Sequence, residues 1–129
     1  MERSKALAAL SALAHAARLD LVRLLMPRGD TGLAAGEIGR ELGLSASRLS
    51  FHLAALEQAG LIRSRKVARN VFYSVDAGGM GETIAFLLND CCMEHPEVLA
   101  CCRHGRSVAA PVIAAPDQMQ DQSPGMVKT

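Results

Sequence analysis

A tight break between two helical stretches is the feature that most constrains the fold of this chain. Residues 35–42 form a short helical pattern, and Gly43 stands where a left-handed cap would end it. Ser45 suits the N-cap of a second, longer helix over residues 46–59, whose apolar stripe consists of Leu49, Leu53 and Leu56. A short helix, a glycine, an apolar residue, a serine and a longer helix are the sequence signature of a helix-turn-helix.

After Gly60 the hydrophobic pattern changes to strict alternation. Val71, Tyr73 and Val75 alternate with polar or aromatic neighbours, and residues 68–70 have the composition of a hairpin tip. Four cations lie on this predicted hairpin with no acid between them: Arg63, Arg65, Lys66 and Arg69. They are placed to lie along a phosphate backbone, although a solvated edge strand would also be charged.

The segments before and after the helix-turn-helix and its hairpin both have helical spacing. Leucines between Leu7 and Leu25 predict two consecutive helices that end at Pro27. A last helix, following Gly79, has to end before Pro96 and carries a narrow apolar seam of Met80, Ile84, Leu87 and Cys91. The predicted fold is mainly α with a β-hairpin wing, a winged helix-turn-helix of order α-α-α-α-β-β-α.

The chain of 129 residues is predicted to divide into three parts. Residues 1–93 form the domain for DNA binding and dimerisation, residues 94–106 form a cysteine-bearing inducer segment, and residues 107–129 form a disordered tail, because their composition lacks periodicity. No apolar run approaches the roughly 18 residues that span a membrane. The apolar N-terminus continues into helical spacing instead of a cleavage site, so we expect a cytoplasmic protein.

Charge is distributed unevenly along the chain. Residues 1–75 carry a formal charge of about +5 and residues 76–129 about −4, although the whole chain has only +1. A basic half joined to an acidic half is consistent with an electrostatic footprint for nucleic acid.

The second helix of the helix-turn-helix is the predicted DNA-reading element. With its leucines inward, Ser47 and Phe51 point outward, and the flanks hold Arg48, Ser50 and His52. Arg48 would donate to a guanine or a phosphate, and Phe51 would contact a thymine methyl or pack on the wing. These residues, together with the wing cations Arg65, Lys66 and Arg69, are the candidate DNA contacts. The alternative to a helix-turn-helix is an ordinary pair of packed helices that does not bind DNA.

Several stretches resemble one family, the ArsR/SmtB metalloregulatory repressors. The similarity covers about residues 4–92 and is carried by residues 13–19 (Leu-Ala-His-Ala-Ala-Arg-Leu), residues 44–53 and residues 56–62 (Leu-Glu-Gln-Ala-Gly-Leu-Ile). It implies a homodimer on a double-stranded palindromic operator, with recognition helices about 34–36 Å apart. The dimer would be joined through the first and last helices, with a seam formed by Leu7, Leu10, Met80, Ile84 and Leu87.

Four cysteines, in a chain expected in a reducing compartment, indicate metal or redox chemistry. They form two adjacent pairs, Cys91-Cys92 and Cys101-Cys102. Trivalent arsenic and antimony take three thiolates, whereas four would suit zinc, cadmium or lead. Disulfides or persulfides could act on the same helix, and fortuitous buried thiols are a further alternative.

Within the family, a cysteine pair at the end of the last helix followed by Pro-Glu and a further cysteine resembles a subset of arsenic sensors. Pro96-Glu97 stands between the pairs here. The first helix of the helix-turn-helix has no cysteine, and the third thiol comes late after Pro-Glu, so the chain departs from the family pattern in two places. Despite these departures, the four cysteines are the candidate metal ligands.

The expected function is a repressor, not an enzyme, since no catalytic constellation or phosphate loop is present. As(III) or Sb(III) would be the inducer that releases it from its operator, with no organic cofactor and no membrane partner. Redox, persulfide, cadmium, lead or zinc sensing by the same fold is the alternative. A cytosolic metalloid carrier is the alternative from another class.

Overall fold

The computed structural model describes the backbone of residues 1–109 and the side chains of residues 1–102. It divides into two compact units, Met1–Phe86 and a second that begins at Leu87, ahead of the predicted boundary at residue 93. The first unit contains α1 (Arg3–Leu13), α2 (Ala16–Leu25), β1 (Leu33–Ala34), α3 (Ala35–Leu42), α4 (Ala46–Gln58), β2 (Ile62–Val67), β3 (Asn70–Val75) and α5 (Ala77–Phe86). Most of the predicted tail, residues 110–129, lies outside the described residues.

The helix-turn-helix is confirmed as α3 and α4. Gly43 ends α3 with a φ of 65°, in the left-handed region. Glycine adopts this conformation without steric strain because it has no Cβ. The Ser45 hydroxyl accepts a hydrogen bond from the Arg48 backbone N–H at 3.4 Å and caps α4. The stripe of Leu49, Leu53 and Leu56 is buried.

The wing is part of a three-stranded antiparallel sheet of order β1-β3-β2. Its register pairs Val67 with Asn70, which leaves Ala68 and Arg69 at the tip. The sequence did not predict β1, whose Leu33 pairs with Tyr73. Immediately before β1, a Cβ on Gly32 would lie 2.1 Å from the Tyr73 carbonyl oxygen, so only glycine allows this approach.

The core of the first unit is aliphatic, as the composition predicts. Its largest fully buried side chains are Leu21, Leu25, Ile38, Leu56, Leu61 and Ile62. Helix α1 contributes its small residues Ala6, Ala9 and Ala12, whereas Leu7 points to solvent. Since alanines let a helix approach its neighbours closely, Leu7 is left for another surface, whereas Leu13 packs on the core.

Helix α5 begins against the glycine that follows α4. The Asp76 carboxylate accepts a hydrogen bond from the Gly79 N–H at 3.1 Å. A Cβ on Gly79 would lie 1.8 Å from the Gly60 carbonyl oxygen, so the two glycines are in backbone contact.

The second unit corrects the prediction that only one helix follows the wing. Leu87–Cys91 form one π-helical turn, and α6 spans Pro96–Ala109. Pro96 begins a helix because proline is well suited to the first turn, and the His95 imidazole accepts a hydrogen bond from the Glu97 N–H at 3.2 Å. Helix α6 thus covers the predicted inducer segment and the first residues of the predicted tail. No helix within residues 1–109 is long and apolar enough to cross a membrane.

Candidate nucleic-acid interface and cysteine cluster

One face of α4 is exposed as the helical spacing predicts. Ser47, Arg48 and Ser50 are open to solvent, and 66 % of Phe51 is exposed. Their exposure is confirmed, and their contact with DNA stays a prediction.

His52 does not belong to this exposed face, which corrects the prediction. Only 4 % of it is exposed, and its Nδ1 accepts a hydrogen bond from the Arg18 Nε at 3.2 Å. Burial, helped by the nearby His15, Arg18 and Arg48, lowers the pKa of His52 below its ordinary value. The reason is geometric: His52 follows Leu49 by three residues and precedes Leu56 by four, which places it on the inward stripe.

Arg18 is a functional candidate that the sequence reasoning missed. Its guanidinium lies 5.5 Å from the centre of the Phe51 ring, and its Nη1 donates to the Ala12 carbonyl at 3.4 Å. The sequence did contain a signal that Arg18 faces the interior, because Arg18 precedes the buried Leu21 by three residues and so shares the inward stripe of α2. A cation on such a stripe indicates a partner inside the fold.

The base of the wing is fastened to the loop before β1. Arg63 forms an ion pair with Asp30 at 3.1 Å, and the Arg65 Nη2 donates to the Thr31 carbonyl at 3.2 Å. Arg65 also lies 5.5 Å from the centre of the Phe72 ring.

The outer part of the wing carries its remaining cations. Lys66 and Arg69 are exposed, and neither forms a side-chain hydrogen bond or an ion pair within the side chains that the structure describes. Of the predicted wing contacts, these two are therefore fully available to an anionic partner, whereas Arg65 already has partners.

The predicted metal ligands lie in the second unit. Cys91 is exposed and Cys92 is half-buried, at the end of the π-helical turn, while Cys101 and Cys102 are exposed on α6. Burial and a hydrogen bond with Cys91 raise the pKa of the Cys92 thiol. Within the described residues, no group of three or more cysteine, histidine or acidic side chains is arranged to hold a metal ion. The 101–102 pair is helical, within α6.

The backbone between the cysteine pairs has an unusual conformation. Met93 and Glu94 have φ of 51° and 55°, in the left-handed region that residues with a Cβ seldom adopt. The Glu94 N–H donates to the Leu88 carbonyl at 2.7 Å, which closes the turn that follows Cys92.

The predicted dimer seam is only partly exposed. On α1 and α5, which pack against each other, Leu7 is 56 % exposed and Ile84 is 44 % exposed. Leu10 is half-buried, and Met80 packs on the core of its own chain, so these two residues are less available than predicted. Leu87 is half-buried and belongs to the second unit.

Comparisons with known proteins agree with this geometry. A family described as a helix-turn-helix domain matches residues 13–65. The HTH-type transcriptional regulator YgaV of Escherichia coli K12 is 41 % identical over 88 residues, which cover 68 % of this chain and 87 % of that protein.

Two solved structures share the fold. Reduced HlyU from Vibrio cholerae is 35 % identical with a TM-score of 0.53, covering 65 % of this chain and 86 % of that one. HlyU is named a transcriptional activator. A Mycobacterium bovis fragment, described as a homodimeric winged helix-turn-helix DNA-binding domain, has 22 % identity and a TM-score of 0.55, covering 71 % of this chain and 82 % of that one. At that identity it supports the fold alone.

A helix-turn-helix followed directly by a basic hairpin defines the winged helix-turn-helix class of DNA-binding proteins. The match to YgaV covers most of that protein, which is named a transcriptional regulator, so the class narrows from DNA-binding proteins in general to transcriptional regulators. The chain belongs to the helix-turn-helix transcriptional regulators of the YgaV/HlyU type.

Proposed function

We propose that this chain is a cytoplasmic repressor that binds a palindromic operator as a homodimer and is released by a thiol-binding inducer. The observation that carries the proposal is the exposed face of α4, with Ser47, Arg48 and Phe51, on the same compact unit as the exposed wing cations Lys66 and Arg69. Such a helix enters the major groove while the cations lie along the backbone phosphates.

Dimerisation is supported by the surface that α1 and α5 leave open. Leu7 and Ile84 are large apolar side chains with about half their surface exposed, on two helices that pack together. Exposed apolar residues that cluster on neighbouring elements favour a protein interface. The homodimeric fragment from Mycobacterium bovis has the same fold.

The proposed inducer is arsenite or antimonite, bound by Cys91, Cys92 and one or both of Cys101 and Cys102. Soft thiolates are the donors that such ions prefer, and the first two thiols are on adjacent residues, close enough for Cys91 to raise the pKa of Cys92. Because no three donors are assembled within the described residues, the ligand itself has to bring the third thiolate in. Binding that rearranges the segment can be coupled to operator affinity, commonly by a factor of about 5–150.

A second candidate is a thiol redox switch in the same fold. It is favoured by the relative whose structure is that of reduced HlyU, and by the exposure of three of the four cysteines here. Oxidation or persulfidation of Cys91 would then replace metalloid binding as the event that changes operator affinity.

The test is binding of the reduced protein to DNA from upstream of its own gene, followed by fluorescence anisotropy. Arsenite, antimonite, cadmium, lead and zinc are titrated first, and then peroxide and polysulfide. Release by arsenite or antimonite alone, abolished in a Cys91→Ser/Cys92→Ser double variant, supports the metalloid switch. Release only by peroxide or polysulfide overturns it in favour of the redox switch.

Two further readouts separate the remaining alternatives. Absence of sequence-selective DNA binding overturns the regulator proposal and favours a cytosolic metalloid carrier. In a reporter assay, the protein should repress its promoter in the absence of inducer. Activation of the promoter would contradict the repressor assignment. HlyU, by its name, is an activator.

A further inference from the structure

A basic cluster behind the reading face joins α2 to α4. It consists of Arg18 on α2, His15 in the turn before α2, and His52 on α4. The Arg18 Nε donates to the His52 Nδ1 at 3.2 Å, and the rings of His15 and His52 are 4.6 Å apart. The cluster therefore ties α4 to another helix through a side-chain hydrogen bond.

We propose that the Arg18–His52 hydrogen bond is a positioning contact for operator recognition, and that protonation of His52 breaks it, so that acidification lowers operator specificity. The inference rests on the proposed DNA-binding function and adds a regulation of the same surface. Neither residue has to touch DNA, since both act through the placement of α4.

The hydrogen bond fixes the protonation state of His52. A guanidinium N–H can only donate, so the His52 Nδ1 has to be an unprotonated acceptor. The neutral ring then carries its proton on Nε2. A proton taken from solvent onto Nδ1 removes the acceptor and places two cationic groups at hydrogen-bond distance, which separates them.

The surroundings of His52 oppose that second charge. The groups that act on it are His15 from the turn before α2, Arg18 from α2 and Arg48 from α4 itself, all of them basic. Burial and these neighbours together keep the ring neutral at pH 7. In the unfolded chain, His52 takes up its proton near pH 6.5. Stability from the neutral ring is therefore present above that pH and is lost as the pH falls toward the lower folded-state value.

Arg18 also connects this cluster to the exposed face. Its guanidinium is 5.5 Å from the Phe51 ring centre, and the Phe51 and His52 rings are 5.7 Å apart. When protonated His52 repels Arg18, the cation that lies over Phe51 moves as well. Since Phe51 is on the proposed base-reading face, specificity should change more than phosphate binding does.

The test compares operator DNA with a scrambled duplex of the same length from pH 8 to pH 4.5 at constant salt, with circular dichroism at each pH to show that the protein remains folded. The ratio of the two affinities should fall about fivefold or more in the wild-type protein as the pH decreases. A His52→Asn variant keeps an acceptor for Arg18 but cannot be protonated, so its ratio, relative to its own value at pH 8, should stay constant. His95→Asn, in the second unit, is the matched control and should follow the wild type.

A second measurement does not depend on any variant. Nitrogen NMR of wild-type His52 should show the Nε2–H tautomer at pH 8, and a pKa that is lower with operator bound than without it, because linkage is reciprocal. A constant wild-type affinity ratio, or an equal pKa in both states, overturns the inference while DNA binding itself stands. Absence of selective binding at every pH instead overturns the proposed function.

Discussion

Cys91 and Cys92 are neighbours in the chain, and the Cys91 side chain acts on the pKa of the Cys92 thiol. Burial and the Cys91 side chain both raise the pKa of Cys92, so its thiolate forms at a higher pH than that of an ordinary thiol. A site that needs this thiolate therefore binds its inducer more weakly as the pH falls, and binding releases protons.

Replacing Cys91 tests this coupling directly. In a Cys101→Ser/Cys102→Ser background, the further change Cys91→Ala should shift the pH midpoint of Cys92 alkylation down toward the ordinary value of about 8.5. The measurement is the iodoacetamide reaction rate against pH, read by mass spectrometry. Met93→Ala in the same background is the control, because it leaves the thiol pair intact. An unchanged midpoint after Cys91→Ala contradicts the coupling.

At the scale of elements, the wing carries two kinds of cation: those that already have a partner within the chain, and those that have none among the described side chains. Arg69 is at the exposed tip, whereas Arg63 forms an ion pair with Asp30. Arg69→Ala should make the slope of log affinity against log salt shallower by about 0.9 for each phosphate that is no longer neutralised. Arg63→Ala is the matched control and should change the slope less. Equal effects of the two variants would contradict this division.

The start of α5 offers a second test at this scale, with two glycines that differ in their surroundings. A Cβ on Gly79 meets the Gly60 carbonyl oxygen, whereas a Cβ on Gly81 meets nothing within 4 Å. Gly79→Ala should lower the free energy of unfolding by about 1–3 kcal/mol. Gly81→Ala should raise it by about 0.5–1 kcal/mol, since glycine is unfavourable inside a helix. Urea denaturation measures both, and a stable Gly79→Ala protein would refute the contact.

Periodicity explains which elements could be predicted and which could not. Helices α3 and α4 were predicted from Gly43, Ser45 and the leucine stripe of α4, and the hairpin was predicted from its strict alternation. Strand β1 has two residues and therefore no period to detect. Helix α6 was missed because Pro96 was interpreted only as a stop, although proline also begins helices. His52 was misplaced because polar side chains are expected to face outward, and its partner Arg18 is distant in sequence.

For the whole molecule, the proposed dimer depends on the surface formed by α1 and α5. Leu7→Glu and Ile84→Glu should each convert the proposed dimer into monomers, because a charge would be buried at the interface. Sedimentation velocity measures the change, and operator affinity should fall with it. Leu19→Glu is the control, since Leu19 is 49 % exposed and belongs to α2, which contributes no residue to the proposed seam. A dimer that survives both seam substitutions would place the interface elsewhere.

Pairing of β3 with both β1 and β2 gives the wing its shape before any partner arrives, and the exposed Arg63–Asp30 ion pair and the Thr31 contact lie at its base. A hairpin that already has its shape gives up little conformational entropy on docking. The encounter rate is then governed by diffusion under electrostatic attraction, and it should decrease as salt screens the cations. For the proposed repressor, search time and residence time are then separate properties: the wing would set how quickly the operator is found, and the proposed inducer would set how long the complex lasts.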